Sequence, residues 1–137
     1  MVILNTLKES ELVNSYLWEY HRTSLQWRRV RLGVVPTHEL ARMYMVTLRW
    51  ADAIYVENRE VYIVEAKLTP RADAVGQLLL YKELFRQTLE FKEFWPYPIN
   101  MVFLCPRMDL NLAELCSKHD IKYVIYDPRK TVPLQVQ

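Results

Sequence analysis

The 137-residue chain has only two glycines, two cysteines and three histidines. With so little glycine, no low-complexity segment and no repeat, it offers no linker, and the expectation is one domain over 1–137 with a tail from about 128. Cys105 and Cys116 lie in apolar runs without CxxC spacing. Ligand count therefore excludes a four-ligand zinc site of cysteines and a four-cysteine iron–sulfur cluster, and both thiols read as small core hydrophobes. His21, His38 and His119 are isolated, which leaves no metal cluster and no Ser/His or Cys/His hydrolase arrangement. No apolar run approaches membrane-spanning length, and MVIL is too short for a signal peptide, so a soluble, cytoplasmic protein without a membrane role is expected. Excess charge of one sign is missing too. A net charge of +2 argues neither for nor against a polyanionic partner, although 11 of the 18 basic residues are Arg, the side chain suited to bidentate phosphate contacts.

What is present is a globular composition, 51% hydrophobic and 25% charged, on a chain long enough to bury a core. Thr6-Leu7-Lys8-Glu9 has the form of a capping box, and Leu12, Val13, Tyr16, Leu17 and Tyr20 follow on one helical face to an end near Arg22 to Ser24. WRRVRLGVV (27–35) reads as a strand bounded by Pro36. In 37–50, Thr37 is a helix cap candidate, but MYMVTL favours a strand running into Trp50. Thr69-Pro70 pairs an N-cap hydroxyl with proline at the first helical position, and helical periodicity then runs to Phe94, where WPYP stops it. PINMVFLCP reads as a buried strand, MDLNLAELCSKHD as a helix and IKYVIYDP as a strand. The order α, β, β, β, α, β, α, β predicts an α/β fold, a mixed sheet flanked by helices.

The stretch WADAIYVENREVYIVEAKL (50–68) reads as a hairpin with misplaced acids. Alternation puts Trp50, Asp52, Ile54 and Val56 on one face, and Ile63, Glu65 and Lys67 on one face of the next strand. With Asn58-Arg59 as the turn, paired positions sum to 117, so Asp52 faces Glu65. Opposed like charges about 5 Å apart are destabilising. Two readings remain open: a divalent cation held by both acids, or a solvated surface ladder in which Lys67 neutralises them. On the next helix Gln77 and Tyr81 stand one turn apart beside an apolar stripe. Glu9 on the first helix is either a capping residue or an acid facing the sheet. Glu19 is its substitute, and Glu11 points further out.

An acid on helix one, D-x(12)-E-x-K across a hairpin, and Q-x-x-x-Y on the next helix, in an αβββαβ order, resembles the PD-(D/E)XK nuclease superfamily. The stretch GQLLLY looks like its RecB-like branch, and ESELVNSYL and EAKLT are also similar to archaeal Holliday-junction resolvases. The resemblance spans about 9 to 126. It implies a restriction-endonuclease-like core with an additional C-terminal helix and strand, acting as a Mg²⁺- or Mn²⁺-dependent deoxyribonuclease on DNA. It implies Asp52, Glu65 and the Ala66 carbonyl as metal ligands, with Glu9 auxiliary. Lys67 would orient or activate water, and Gln77 and Tyr81 would hold the strand and the site. Ala51 stands where such sequences often have proline, and the four cysteines of the iron–sulfur subgroup are lacking.

For phosphate contact the sequence offers Arg28, Arg29, Arg31, Arg49, Arg71, Lys82 and Arg86. Arg71 is the leading candidate on the expectation that it sits in the first turn of a helix whose N-terminus attracts anions. Alternation separates Arg29 and Arg31 from Arg28. A structure-specific endonuclease, or a non-catalytic nucleic-acid- or protein-binding module of a virus or mobile element, is the alternative reading. The segment TVPLQV offers an edge strand for a homodimer.

Overall fold

The computed structural model of the chain describes residues 6–34 and 49–130. The expectations placed on Thr37, on MYMVTL and on TVPLQV lie outside the described residues. Helix α1 (Glu9–His21) leads into strands β1 (Leu25–Leu32), β2 (Arg49–Glu57) and β3 (Glu60–Ala66), followed by helix α2 (Asp73–Phe85). A 3-10 turn (Leu89–Phe94), strand β4 (Ile99–Cys105), helix α3 (Leu110–Lys118), strand β5 (Ile121–Ile125) and a second 3-10 turn (Pro128–Lys130) complete the described part.

The strands form one five-stranded sheet in the order β1-β2-β3-β4-β5. The first three are antiparallel neighbours and the last three parallel ones. β3 and β4 are the central strands, and most of their residues are buried whichever way they point. This is why PINMVFLC reads as a continuous apolar run, since strands covered on both faces lose the alternation of half-exposed ones. One face packs on α2 and α3 through Ile54, Ile63, Leu78, Phe85, Phe103 and Cys116. The other packs on α1 through Leu12, Leu17, Tyr55, Val64 and Leu104. Both cysteines are buried free thiols. Among the described residues no helix is long and apolar enough to cross a membrane.

The hairpin register is the expected one: Ala53 faces Val64, Ile54 faces Ile63 and Glu57 faces Glu60. Asn58 and Arg59 both take positive φ, 54° and 62°, the primed turn whose twist matches the flanking strands.

Three local expectations change. The first helix starts two residues later than the capping box proposed, with Lys8 as N-cap. Its backbone N–H donates to Glu11 Oε1 at 3.1 Å, so Glu9 has no capping role. The second helix begins at Asp73 rather than Thr69, which leaves Arg71 outside its first turn. That helix also stops at Phe85. Thr88, almost fully buried, turns its hydroxyl back onto the Leu84 carbonyl (2.8 Å) and accepts the Gly33 N–H (2.9 Å). This local bonding competes with helix continuation. Arg86 then clamps the following turn by donating to the Trp95 and Tyr97 carbonyls.

The third change matters for the site. Trp27 packs into the α2-side core, and so do Val30 and Leu32, an offset of three that simple alternation forbids. In β2, Ile54 and Val56 share that core with Ala51. Both strands therefore reverse their pleat at the same level, where Arg29 and Asp52 fall between the Arg28–Ala53 and Val30–Ala51 pairs. Arg29 makes the reversal with φ of 50°. Trp50 consequently does not share a face with Ile54 and Val56, and Arg28 and Arg31 fall on one side.

Candidate functional site

The ladder between β2 and β3 ends at Ala53–Val64. β2 stays with β1 as far as Arg49, while β3 continues along β4 as far as Ala66. Where the strands part, Asp52 Oδ2 accepts the Ala66 N–H at 2.7 Å. The carboxylate takes the place of the missing neighbour carbonyl, so the opening costs no unsatisfied donor.

Glu65 faces α2 and is only 4% exposed. Lys67 Nζ lies 3.2 Å from its Oε2. The Tyr81 hydroxyl donates to its Oε1 at 3.1 Å and to the Trp50 carbonyl at 2.9 Å, two acceptors sharing one proton. Tyr81 thus joins α2 to both strands. Gln77, one helical turn earlier, has a buried Oε1 with no hydrogen-bond partner among the described residues. Buried acceptors are normally satisfied.

The electrostatics follow from burial and proximity. Desolvation, then the Asp52 charge, pushes the Glu65 carboxyl up to about 7, against the pull of Lys67 and Tyr81. Asp52 is also raised, chiefly by burial, against the Ala66 N–H, Lys67, a hydrogen bond with Glu65 and Arg29. Two like-charged acids sharing a site do not both ionise easily. Glu9 stands on the exposed side of the helix start, yet nearby protein atoms, followed by Asp52, raise it as well. It lines a cavity of about 210 Å³ together with Val13, Asn14, Arg29 and Asp52. Glu19 is elsewhere, accepting the Tyr126 hydroxyl at 2.8 Å. Glu9 is therefore the helix-one acid at the site.

The donor set suits a hard divalent cation. With both acids ionised, Asp52, Glu65 and Lys67 carry a net single negative charge, and Glu9 adds another. A dication would offset both the burial and the Asp52 charge that raise the Glu65 carboxyl. No group of three or more His, Cys, Asp or Glu side chains converges among the described residues.

The basic residues divide. Arg28 is engaged by Asn14 and Gln26 (2.7 and 3.0 Å). Arg71, exposed, is paired with Asp73 at 3.0 Å and acts electrostatically on Glu9, and Arg86 is the clamp already described. Arg49 acts electrostatically on Tyr81. Arg29 and Arg31 place their guanidinium carbons 5.6 and 5.7 Å from the centroid of Trp50, which is 49% exposed. Sequence reasoning missed this cluster. A positive φ at an arginine has no sequence signal, and such strain costs on the order of 1–3 kcal/mol.

An α/β sheet with α1 on one face, α2 and α3 on the other and an acid pair at the parting of β2 and β3 has the restriction-endonuclease-like fold. Two solved structures share it. One is a repair endonuclease from Pyrococcus abyssi, with a TM-score of 0.59 and 13% identity over 92% of this chain and 50% of that one. The other is EndoMS in a complex with dsDNA, with a TM-score of 0.55 and 16% identity over 94% of this chain and 49% of that one. The chain spans about half the length of the solved chains it matches. No protein-family model and no curated protein matches the sequence. The resemblance to the PD-(D/E)XK nucleases and the αβββαβ core with an added helix and strand hold at the level of the fold.

Proposed function

We propose that the chain is a metal-dependent DNA nuclease whose centre is Asp52, Glu65 and Lys67. The observation that carries this reading is buried Glu65 beside half-buried Asp52, with Lys67 on Glu65, at the point where β2 leaves β3. Asp52, Glu65 and the Ala66 carbonyl would hold Mg²⁺ or Mn²⁺, with Glu9 as an outer ligand. The ion supplies charge neutralisation at the phosphate and a more acidic bound water. Lys67 orients the attacking water and faces the developing charge. The water oxygen bonds to phosphorus as one P–O ester bond breaks, one water proton is lost and the leaving oxygen gains one. Tyr81 fixes Glu65, and the unpartnered Gln77 oxygen would accept a donor from the nucleic acid. Arg49 is the phosphate contact beside the site.

The two structures of like fold are endonucleases by name, and one is in complex with dsDNA, which supports an internal cut in DNA. The Gln77–Tyr81 spacing supports a RecB-like form of this activity. The test is incubation with single-stranded, duplex, flapped and four-way-junction DNA with Mg²⁺ or Mn²⁺. Cleavage of at least one substrate that vanishes in Lys67→Ala is expected. No cleavage, or cleavage that survives Lys67→Ala, overturns the reading. Manganese titration of Asp52→Asn distinguishes a nuclease, which loses affinity, from a module that binds without metal.

A further inference from the structure

The geometry points to a second element beside the acids: Trp50, with Arg29 and Arg31, is a stacking shelf for an unpaired nucleotide of the strand entering the Asp52–Glu65 site. The inference rests on the nuclease reading and adds to it the local form of the substrate.

Trp50 is 49% exposed although it lies within a strand. It stands two residues before Asp52, about 7 Å along the strand. Its carbonyl is held by the same Tyr81 hydroxyl that donates to Glu65, so the shelf and the acids share one anchor. The Arg29 and Arg31 guanidinium carbons are 5.6 and 5.7 Å from the indole centroid, close to the outer limit of about 6 Å for such contacts. They leave half of the residue open and can turn toward a phosphate. A groove of about 520 Å³ runs between Trp27, Arg29, Arg31, Trp50 and Glu90.

Two further facts separate this cluster from ordinary surface packing. Arg29 is held at φ of 50°, a left-handed conformation that L-residues avoid, at the level where both strands reverse. The reversal turns Ala51, not Trp50, into the α2-side core, which leaves the indole outside that core, two residues along β2 from Asp52. Such outliers persist where the surroundings over-determine them, and they cluster at binding and catalytic sites.

The ligand class follows from the chemistry. An open indole face stacks on a nucleobase, and flanking arginines meet the adjacent phosphates, the combination that single-strand-binding surfaces use. A base inside a duplex has both faces covered by its neighbours. The shelf therefore accepts a base from a single strand, a flap, a frayed end or an extruded nucleotide.

The test is equilibrium binding by the full chain in EDTA, where cleavage does not interfere. The probes are a fluorescent oligothymidylate of about a dozen nucleotides, within single-strand site sizes, and a blunt duplex of the same length. Trp50→Ala is expected to weaken single-strand binding about tenfold and to change duplex binding less than about twofold. Trp50→Phe keeps most of the affinity because it keeps a π-face. Arg29→Gln and Arg31→Gln weaken both forms and each lower the salt slope by about one. No oligothymidylate binding by the parent protein, unchanged single-strand binding in Trp50→Ala, or equal losses for single strand and duplex overturns the shelf. Intact Trp50-dependent binding without cleavage of any DNA overturns the nuclease reading and leaves the shelf standing. Cleavage with binding indifferent to Trp50 does the reverse.

Discussion

The β2–β3 hairpin carries two pairs of opposed acids, Glu57 with Glu60 next to the turn and Asp52 with Glu65 at the other end. At the turn each acid has its own partner. Glu57 Oε1 lies 3.0 Å from His21 Nδ1, and Glu60 accepts from Asn100 Nδ2 at 3.0 Å. The ladder there is unbroken, and Tyr55 stacks on Tyr62 with ring centroids 4.6 Å apart. At the other end the ladder has stopped, Asp52 has been drawn to the Ala66 N–H, and Glu65 shares one lysine and one tyrosine proton with the demands of its neighbour. Opposition of like charges is thus not by itself a sign of a metal site. Depth of burial is the distinguishing feature, since of the four acids only Glu65, at the splayed end, is buried.

The largest expected contrast is in activity. Asp52→Asn and Lys67→Ala should each lower the cleavage rate by a factor on the order of 10³ or more, several kcal/mol of barrier, whereas Glu57→Gln should stay within about twofold. Comparable losses from Glu57→Gln in initial-rate assays would erase the distinction between the two ends.

Stability against pH sharpens it next. Glu65 titrates near an ordinary 4.5 in the unfolded chain and at about 7 in the folded one. The folded state binds more protons in that window. The contribution is therefore fully present below about 4.5 and is lost as pH rises through about 7, on the order of 3 kcal/mol in the metal-free protein. Urea unfolding in EDTA should show this decline, and Glu65→Gln should flatten it. Adding Mn²⁺ above pH 7 should restore stability in the parent protein but not in the variant.

At the turn end, His21→Ala removes the Glu57 partner, the contact with the Tyr16 hydroxyl at 3.1 Å and a ring stacked on Tyr55 at 4.2 Å. A loss of roughly 1–2 kcal/mol is expected, with cleavage by the remaining folded protein unchanged. Tyr81→Phe is a smaller change at the site end. It takes a donor from Glu65, so the pH midpoint of the stability decline should move upward, and a downward move would contradict the hydrogen bond. The smallest effect belongs to Arg71→Ala, which breaks an exposed pair with Asp73 worth at most about 1 kcal/mol. A large drop in DNA affinity there would assign Arg71 a phosphate contact made without the help of the α2 N-terminus, whose first turn it lies outside.

Much of this was readable in the residues. The two-residue turn at Asn58-Arg59 fixed the pairing sum, and β-prone runs on either side fixed the strands. The Asp52, Glu65, Lys67, Gln77 and Tyr81 spacings placed their bearers on the right elements, whereas the Tyr81–Glu65 hydrogen bond came only with the structure. The helix boundaries were less legible. Thr69-Pro70 has the composition of a helix start and is not one, and Thr88 ends α2 by bonding to Gly33, a partner 55 positions away.

The sequence alone determined the hairpin register and the order of elements, because these are set by a two-residue turn and by runs of near neighbours in the chain. Only the tertiary structure decided which acid of helix one reaches the site, since Tyr126 claims Glu19 across 107 positions. The same holds for the pleat reversal at Arg29 and Asp52. A strand's faces are chosen by what covers the whole sheet, and packing against α1 and α2 outweighs the local preference for alternation.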